Sequence, residues 1–298
     1  MPNNYSLIVK PLLQEEPIIN SNISIFKTLQ VESSTTMISI IPSIKISILT
    51  DHEIKALSKY QIQSLLPEQI PLFTAEQIKS FRPKQIQWFW LWQIQSFTKK
   101  QIASFTPEQV VSFTENQIKA FTPIQIQALT PIQIRSFNVT QIPYFTFIQI
   151  ASFMPWQIQS LTKEQIQSFT KEQVVSLTSL QILALTPDQI ASFLPLQIQV
   201  FTLEQISSFI DIQIESFLPL QIQSFWLWQI QSLTEDQIPA FTKIQILHLT
   251  EDQIKSFLPI QIATFTPIQV ESFWLWQINF LQKNKFHILH QNKYQNLH

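Results

Sequence analysis

The stretch Phe105-Thr106-Pro107-Glu108-Gln109-Val110-Val111-Ser112 is one complete copy of an eight-residue unit that fills most of the chain. Its glutamine belongs to a series of 28 that occupy every eighth position from Gln61 to Gln277. A period held over this length indicates a repeat array, in which each unit is a small element that packs on its neighbours. The fold therefore depends on what one octapeptide forms.

Each unit carries the start signals of a short α-helix. In the quoted copy, Thr106 is a good N-cap, Pro107 suits the first helical position, and Glu108 is favoured by the helix dipole. Gln109 stands three residues after the cap, at the capping-box position, where its side chain can accept the backbone N–H of the cap residue. A ladder of stacked glutamine amides along the array is a rival explanation, and the sequence leaves both open.

Two slots of the unit are apolar in every copy. The residue directly after the glutamine is Ile or Val, and the residue four positions after the glutamine is Phe or Leu. A spacing of three fits a helical turn rather than the alternation of a strand. One continuous helix is excluded, because an eight-residue period would carry these residues around all sides and the prolines would break it.

The sequence therefore predicts an all-α fold, a solenoid or superhelix of about 30 very short capped helices, one per repeat. We expect each helix to have about six or seven residues before the next Thr-Pro junction. The competing prediction is a β-solenoid, since Ile, Val, Thr and Phe favour strands, but the chain has no Gly for its turns. Pro71, Pro143 and Pro239 fall inside the short helix and predict a local 3-10 turn or a bend.

The repeat divides the chain into four parts. Residues 1–36 are predicted to be an irregular lead-in with decayed repeats, and residues 37–60 to be degenerate N-terminal capping repeats. Residues 61–284 form the regular array, and residues 285–298 are polar and basic degenerate C-terminal capping repeats that cover the open end of the core.

Charge and hydropathy exclude several classes of partner. The net charge of −1 gives no reason to expect nucleic acid, and the recurring glutamine leaves no stretch that could span a membrane. No secretory signal is visible near the N-terminus, so we expect a soluble protein, either cytoplasmic or exported by a route other than Sec.

No residues of the sequence form a convincing active site. There is no Cys, the serines have no His–acid partnership, and His287 and His290 in the basic tail have no carboxylate beside them. We expect no catalytic residue, no cofactor and no metal site. The predicted function is that of a non-enzymatic repeat scaffold or protein-interaction surface; the alternatives are a self-assembling structural protein and a repeat-expansion product with no specific activity.

Two features point to a partner-binding surface, which would take another protein or another copy of the chain. The slot before the glutamine is acidic in some units and apolar in others, so either alternate units bury it or it forms an exposed apolar stripe. Tryptophan pairs replace the cap and this slot in three units, either for internal packing or as anchors for a partner. These candidate partner-binding residues are Trp90, Trp92, Trp226, Trp228, Trp274 and Trp276.

Residues 105–111 resemble the opening of the repeat in transcription-activator-like effectors, whose units begin L-T-P-E-Q-V-V. The likeness covers one short helix of a unit about four times longer. The second helix, the Gly-containing base-reading loop and the basic residues of that family have no match here, so the resemblance implies no DNA-binding residues. As a whole the array is similar to uncharacterised octapeptide tandem-repeat solenoid proteins of bacteria with large effector repertoires, which implies a solenoid and no particular activity.

Overall fold

The computed structural model describes residues 41–279 and Leu281, and its described part is an all-α solenoid with no strand. The predicted fold class is confirmed, and the β-solenoid alternative is wrong. The α-helices have four to six residues, so the longest have the expected length and the others are shorter. In chain order they are α1 Ser43–Ile46, α2 Asp51–Ala56, α3 Lys59–Gln63, α4 Ala75–Ser80, α5 Pro83–Ile86, α6 Leu91–Gln95, α7 Lys99–Ile102, α8 Pro107–Ser112, α9 Glu115–Ala120, α10 Pro123–Ile126, α11 Pro131–Ser136, α12 Phe147–Ser152, α13 Pro155–Gln159, α14 Lys163–Gln167, α15 Lys171–Val175, α16 Ser179–Ala184, α17 Pro187–Ile190, α18 Pro195–Ile198, α19 Leu203–Ser207, α20 Asp211–Ser216, α21 Pro219–Ser224, α22 Leu227–Gln231, α23 Lys243–Leu247, α24 Glu251–Ser256, α25 Pro259–Ala263 and α26 Pro267–Ser272.

Three units form a 3-10 helix instead of an α-helix. They are Ile70–Leu72, Ile142–Tyr144 and Ile238–Ala240, and each contains one of the internal prolines singled out from the sequence. A proline at this position supplies no N–H for an α-helical hydrogen bond, so the tighter turn forms in its place. The predicted local 3-10 turns are confirmed.

Helices are joined by two extended residues with negative φ. At the junction between α4 and α5, Phe81 has φ −63° and ψ 134°, and Arg82 has φ −69° and ψ 147°. Any L-residue adopts these angles without strain, so the turn requires no glycine. This explains in physical terms how a chain without Gly reverses direction once per unit.

The capping box predicted for the glutamine is present. In α14 the Gln165 N–H donates to Thr162 Oγ1 at 3.2 Å, and the Thr162 N–H donates to Gln165 Oε1 at 2.8 Å. Where the cap residue is apolar, only the glutamine half remains, as in the 2.8 Å bond from the Trp90 N–H to Gln93 Oε1. The glutamine thus caps every unit because it uses a backbone donor, whatever the cap side chain.

The nitrogen of the same side-chain amide connects successive turns of the solenoid through hydrogen bonds. Gln165 Nε2 donates to the carbonyl oxygens of Ile134 at 2.8 Å and Phe137 at 2.6 Å, which lie 31 and 28 residues earlier. Glutamines from Gln69 to Gln277 are buried in this way, at most 7% exposed. The alternative of amides stacked on one another is wrong, because each amide bonds to backbone carbonyls four units earlier.

These bonds define the geometry of the superhelix. The glutamines reach four units back, while the helices in closest contact are three units apart, such as α5 with α8 and α13 with α16. One turn of the superhelix therefore contains between three and four octapeptides. Units three apart in the sequence become neighbours on adjacent turns, and this relation determines which surface residues lie side by side.

The two apolar slots form one continuous core. From Ile62 to Phe257, every residue in these slots is buried, at most 6% exposed. Phenylalanines of successive units contact each other edge to face, as Phe97 and Phe105 do with ring centroids 5.2 Å apart, an arrangement favoured by the ring quadrupoles. The core is thus a spiral of rings and aliphatic side chains inside the coil.

The position three residues after the glutamine is Ser in many units. Its serines donate to backbone carbonyls three or four residues earlier in their own unit, as Ser152 Oγ does to the Ile148 oxygen at 2.6 Å. The serine hydroxyl is thus paired within its own unit.

The predicted division of the chain is only partly covered by the structure. Helices α1 and α2 lie within 37–60, and α3 begins there. Helix α2 has a capping box in which Glu53 takes the place of the glutamine and Thr50 is the cap. The predicted lead-in at 1–36 and the C-terminal capping repeats at 285–298, including His287 and His290, lie outside the described residues.

Candidate protein-binding surface

The slot before the glutamine faces outward in every unit where it is apolar. It precedes the buried Ile slot by two residues, which on an α-helix is a rotation of about 200° and places it on the opposite side. The expectation that alternate units bury this slot is therefore wrong. The ten Ile and Leu residues in this slot are between 52% and 76% exposed: Ile124, Ile132, Ile148, Leu180, Leu196, Ile212, Leu220, Ile244, Ile260 and Ile268.

In other units the same slot carries a charge. Hydrogen bonds from its own backbone N–H and from the Thr106 hydroxyl hold the pKa of Glu108 below its ordinary value. The pKa values of Glu164, Glu172 and Glu204 are lowered by the same pair of donors. These carboxylates are charged at neutral pH, so the outer surface contains both acidic and apolar units.

The six tryptophans predicted as partner anchors lie on the outside. Their exposed fractions are 50% and 40% for Trp90 and Trp92, and 51% and 45% for Trp226 and Trp228. The last pair is 56% and 40% exposed at Trp274 and Trp276. The alternative that these residues pack internally is wrong. Their role as anchors for a partner stays a prediction.

The structure does not bring the tryptophan pairs together. Trp226 and Trp228 begin α22, which packs against α24, whose first turn carries Glu251 and Asp252. Trp90 and Trp92 lie at the start of α6, which packs against α9, whose first turn carries Glu115. Each of these two pairs is therefore an isolated aromatic site beside an acidic first turn.

A second apolar feature of the surface arises because helices three units apart in the sequence pack against each other. Helices α18, α21, α23 and α26 pack against one another in succession on four turns. The residues before their glutamines are Leu196, Leu220, Ile244 and Ile268, exposed by 61%, 69%, 60% and 76%. We call these four residues the aliphatic ladder. The sequence contains them at 24-residue spacing, but that spacing has meaning only once the number of units per turn is known.

Open grooves run between successive turns in the part of the chain that the structure describes. One is lined by Phe105, Thr106 and Pro107 on one turn and by Pro131 and Ile132 on the next. Within residues 41–279 and Leu281, no group of three or more His, Cys, Asp or Glu is placed to hold a metal ion. In that same part of the chain, no helix has the length and apolar character needed to cross a membrane.

The comparisons with known proteins give no family. The sequence matches no protein-family model and no curated protein. Any functional argument therefore rests on the outer surface itself.

Proposed function

We propose that the protein is a non-enzymatic scaffold that binds other polypeptides through apolar side chains at the start of its helices. The support is a surface that is rigidly presented and rich in exposed apolar residues. The ties between turns hold each helix start in place, so these side chains are displayed in a fixed array. Large exposed apolar surfaces of this kind are typical of protein-interaction sites.

One observation carries the proposal. Trp90, Trp226, Leu194 and Leu218 stand at the cap slot, where they supply no side-chain cap hydrogen bond, and they are 45% to 51% exposed. Replacing a Thr cap costs a helix about 1 kcal/mol. These residues therefore weaken the fold without adding to the core, and contact with a partner offers a reason for them that folding does not.

A second candidate function is self-assembly, and a specific observation favours it. Ile212, Leu220 and Trp228 occupy the same outward slot in three consecutive units. Because three to four units complete a turn, these side chains point in different directions from the axis. A surface that is apolar on several sides suits a protein with neighbours on several sides. Light scattering at rising concentration separates the two candidates, since only assembly gives steadily larger particles.

Site-specific photocross-linking tests the interaction surface. A benzoylphenylalanine placed at Trp228 or at Leu220 in the full chain is expected to cross-link to polypeptides in the producing cell. The matched controls are Glu172 and Glu164, which occupy the same slot and carry charge. We expect roughly tenfold more cross-linked product at the apolar positions, since partners bury apolar anchors rather than charged residues.

Equal labelling at the apolar and acidic positions would remove the support for a protein-binding surface. A cross-linked product that contains only this chain would instead select the self-assembly candidate.

A further inference from the structure

Among the described residues, the aliphatic ladder places four uncharged apolar side chains on four helices that pack against one another in succession. The four units that form it carry Leu-Pro-Leu at 194–196, Leu-Pro-Leu at 218–220, Thr-Lys-Ile at 242–244 and Thr-Pro-Ile at 266–268. Lys243 is the one charged residue among these twelve positions. Leu194 and Leu218 at the cap slots are 45% and 49% exposed and widen the ladder at one end.

The spacing of the ladder restricts what can bind along it. The spacing of its four side chains follows from the distance between adjacent packed helices, which is about 8–10 Å. A partner that contacts all four side chains must present apolar groups at the same spacing over the same length. A second copy of the chain meets this requirement automatically, because its own ladder has the same helices, the same ties and therefore the same spacing.

We propose that two copies of this chain form an antiparallel dimer through their aliphatic ladders. This proposal rests on the proposed function, since it names one partner for the same apolar surface. A two-fold axis between Leu220 and Ile244 places Leu220 against Ile244 of the second copy, and Leu196 against Ile268 of the second copy. Such an interface is isologous, so it closes at two copies.

Charge selects the antiparallel arrangement over the parallel one. In a parallel pair, Lys243 would face Lys243 of the second copy, and like charges across an interface are unfavourable. In the antiparallel pair, Lys243 faces the Leu-Pro-Leu segment at 218–220 instead. The net charge of −1 per chain adds little repulsion between copies.

Sedimentation velocity of the full chain over a wide concentration range tests the dimer. The wild-type protein is expected to convert from monomer to dimer as its concentration rises. The double variant L220E/I244E is expected to weaken dimerisation roughly 100-fold or more, because it sets carboxylates of the two copies against each other. Folding is retained, since Glu occupies the same slot at Glu108 and Glu172; circular dichroism verifies this.

The chain offers a matched control in I124E/I212E. These residues occupy the same outward slot and are 57% and 52% exposed, but they lie outside the ladder. The helix of Ile212 packs against α17, with Asp188 in the corresponding slot, and that of Ile124 packs against α7, with Lys100 there. The control is expected to dimerise like the wild type.

Three results would overturn the proposal: a wild-type monomer at every concentration, a dimer that survives L220E/I244E, and equal loss in the control. None of them decides the proposed function, because cross-links from Trp228 or Leu220 to other polypeptides would still support a scaffold. Conversely, a ladder dimer with no other cross-linked polypeptide would restrict the surface to self-association.

Discussion

Replacing Gln165 with leucine is expected to lower the free energy of unfolding by at least about 3 kcal/mol. The side chain is 2% exposed and pairs three buried backbone groups: the Thr162 N–H and the carbonyls of Ile134 and Phe137. Leucine fills a similar volume but leaves all three groups without a partner. Each buried group left unpaired costs about 1–3 kcal/mol. Equilibrium unfolding in urea measures the loss.

The variant Q165E separates the contribution of the amide oxygen of Gln165 from that of its amide nitrogen. Its carboxylate still accepts the Thr162 N–H, but an oxygen replaces the donor that faces two carbonyls, so we expect strong destabilisation at neutral pH. Burial and the facing carbonyls raise the pKa of this introduced carboxyl above its unfolded value of about 4.3. The stability of Q165E relative to wild type should therefore rise as the pH falls through the raised pKa.

The control for both variants is Q167E. Gln167 belongs to the same helix, and its side chain is exposed. Its substitution is expected to change the unfolding free energy by no more than about 0.5 kcal/mol. If Q165L changed the free energy of unfolding as little as Q167E does, the Gln165 side chain would not be needed to hold successive turns together.

Truncation of Phe201 to alanine is expected to cost about 3–5 kcal/mol. Phe201 is fully buried, and its ring contacts Phe193 and Phe209 edge to face at 5.1 and 5.3 Å. Alanine would leave a cavity and remove both ring contacts. Thermal or urea unfolding followed by circular dichroism measures the effect.

The conservative variant F201L provides the comparison. Leucine occupies this slot naturally at Leu161 and Leu177, where the core stays closed. We expect a loss of about 1–1.5 kcal/mol for F201L, since the packing volume is largely kept. A similar small loss for F201A would mean that the spiral of rings contributes little to stability.

Local features of the fold could be predicted because their causes lie within one octapeptide. The cap at Thr162, the box with Gln165 and the 3-10 turn at Pro143 depend on residues at most three apart. The longest helices, such as α4, have the expected six residues, and the chain then becomes extended at the Phe slot, as at Phe81.

Features that depend on the superhelix could not be predicted. The partners of the Gln165 amide are 28 and 31 residues away, and only the turn of the coil brings them close. The relative positions of surface residues also depend on the superhelix. The sequence identified Leu220 and Ile244 as apolar, but their adjacency follows from stacking three units apart. The sequence left open whether Trp228 is buried or exposed. The residue types in its slot do not show which face of the helix packs against the core.

Zero-length cross-linking of Lys163 to Asp188 is the most direct test of a coil with three to four octapeptides per turn. These side chains are 25 residues apart, yet Lys163 Nζ lies 3.4 Å from Asp188 Oδ1, and both are exposed to reagent. A continuous α-helix would hold them about 38 Å apart. The pairs Lys55–Asp51 and Lys255–Glu251 within single helices serve as positive controls. A carbodiimide is predicted to join Lys163 to Asp188 in the monomer; formation of the control links without this one would contradict the coil.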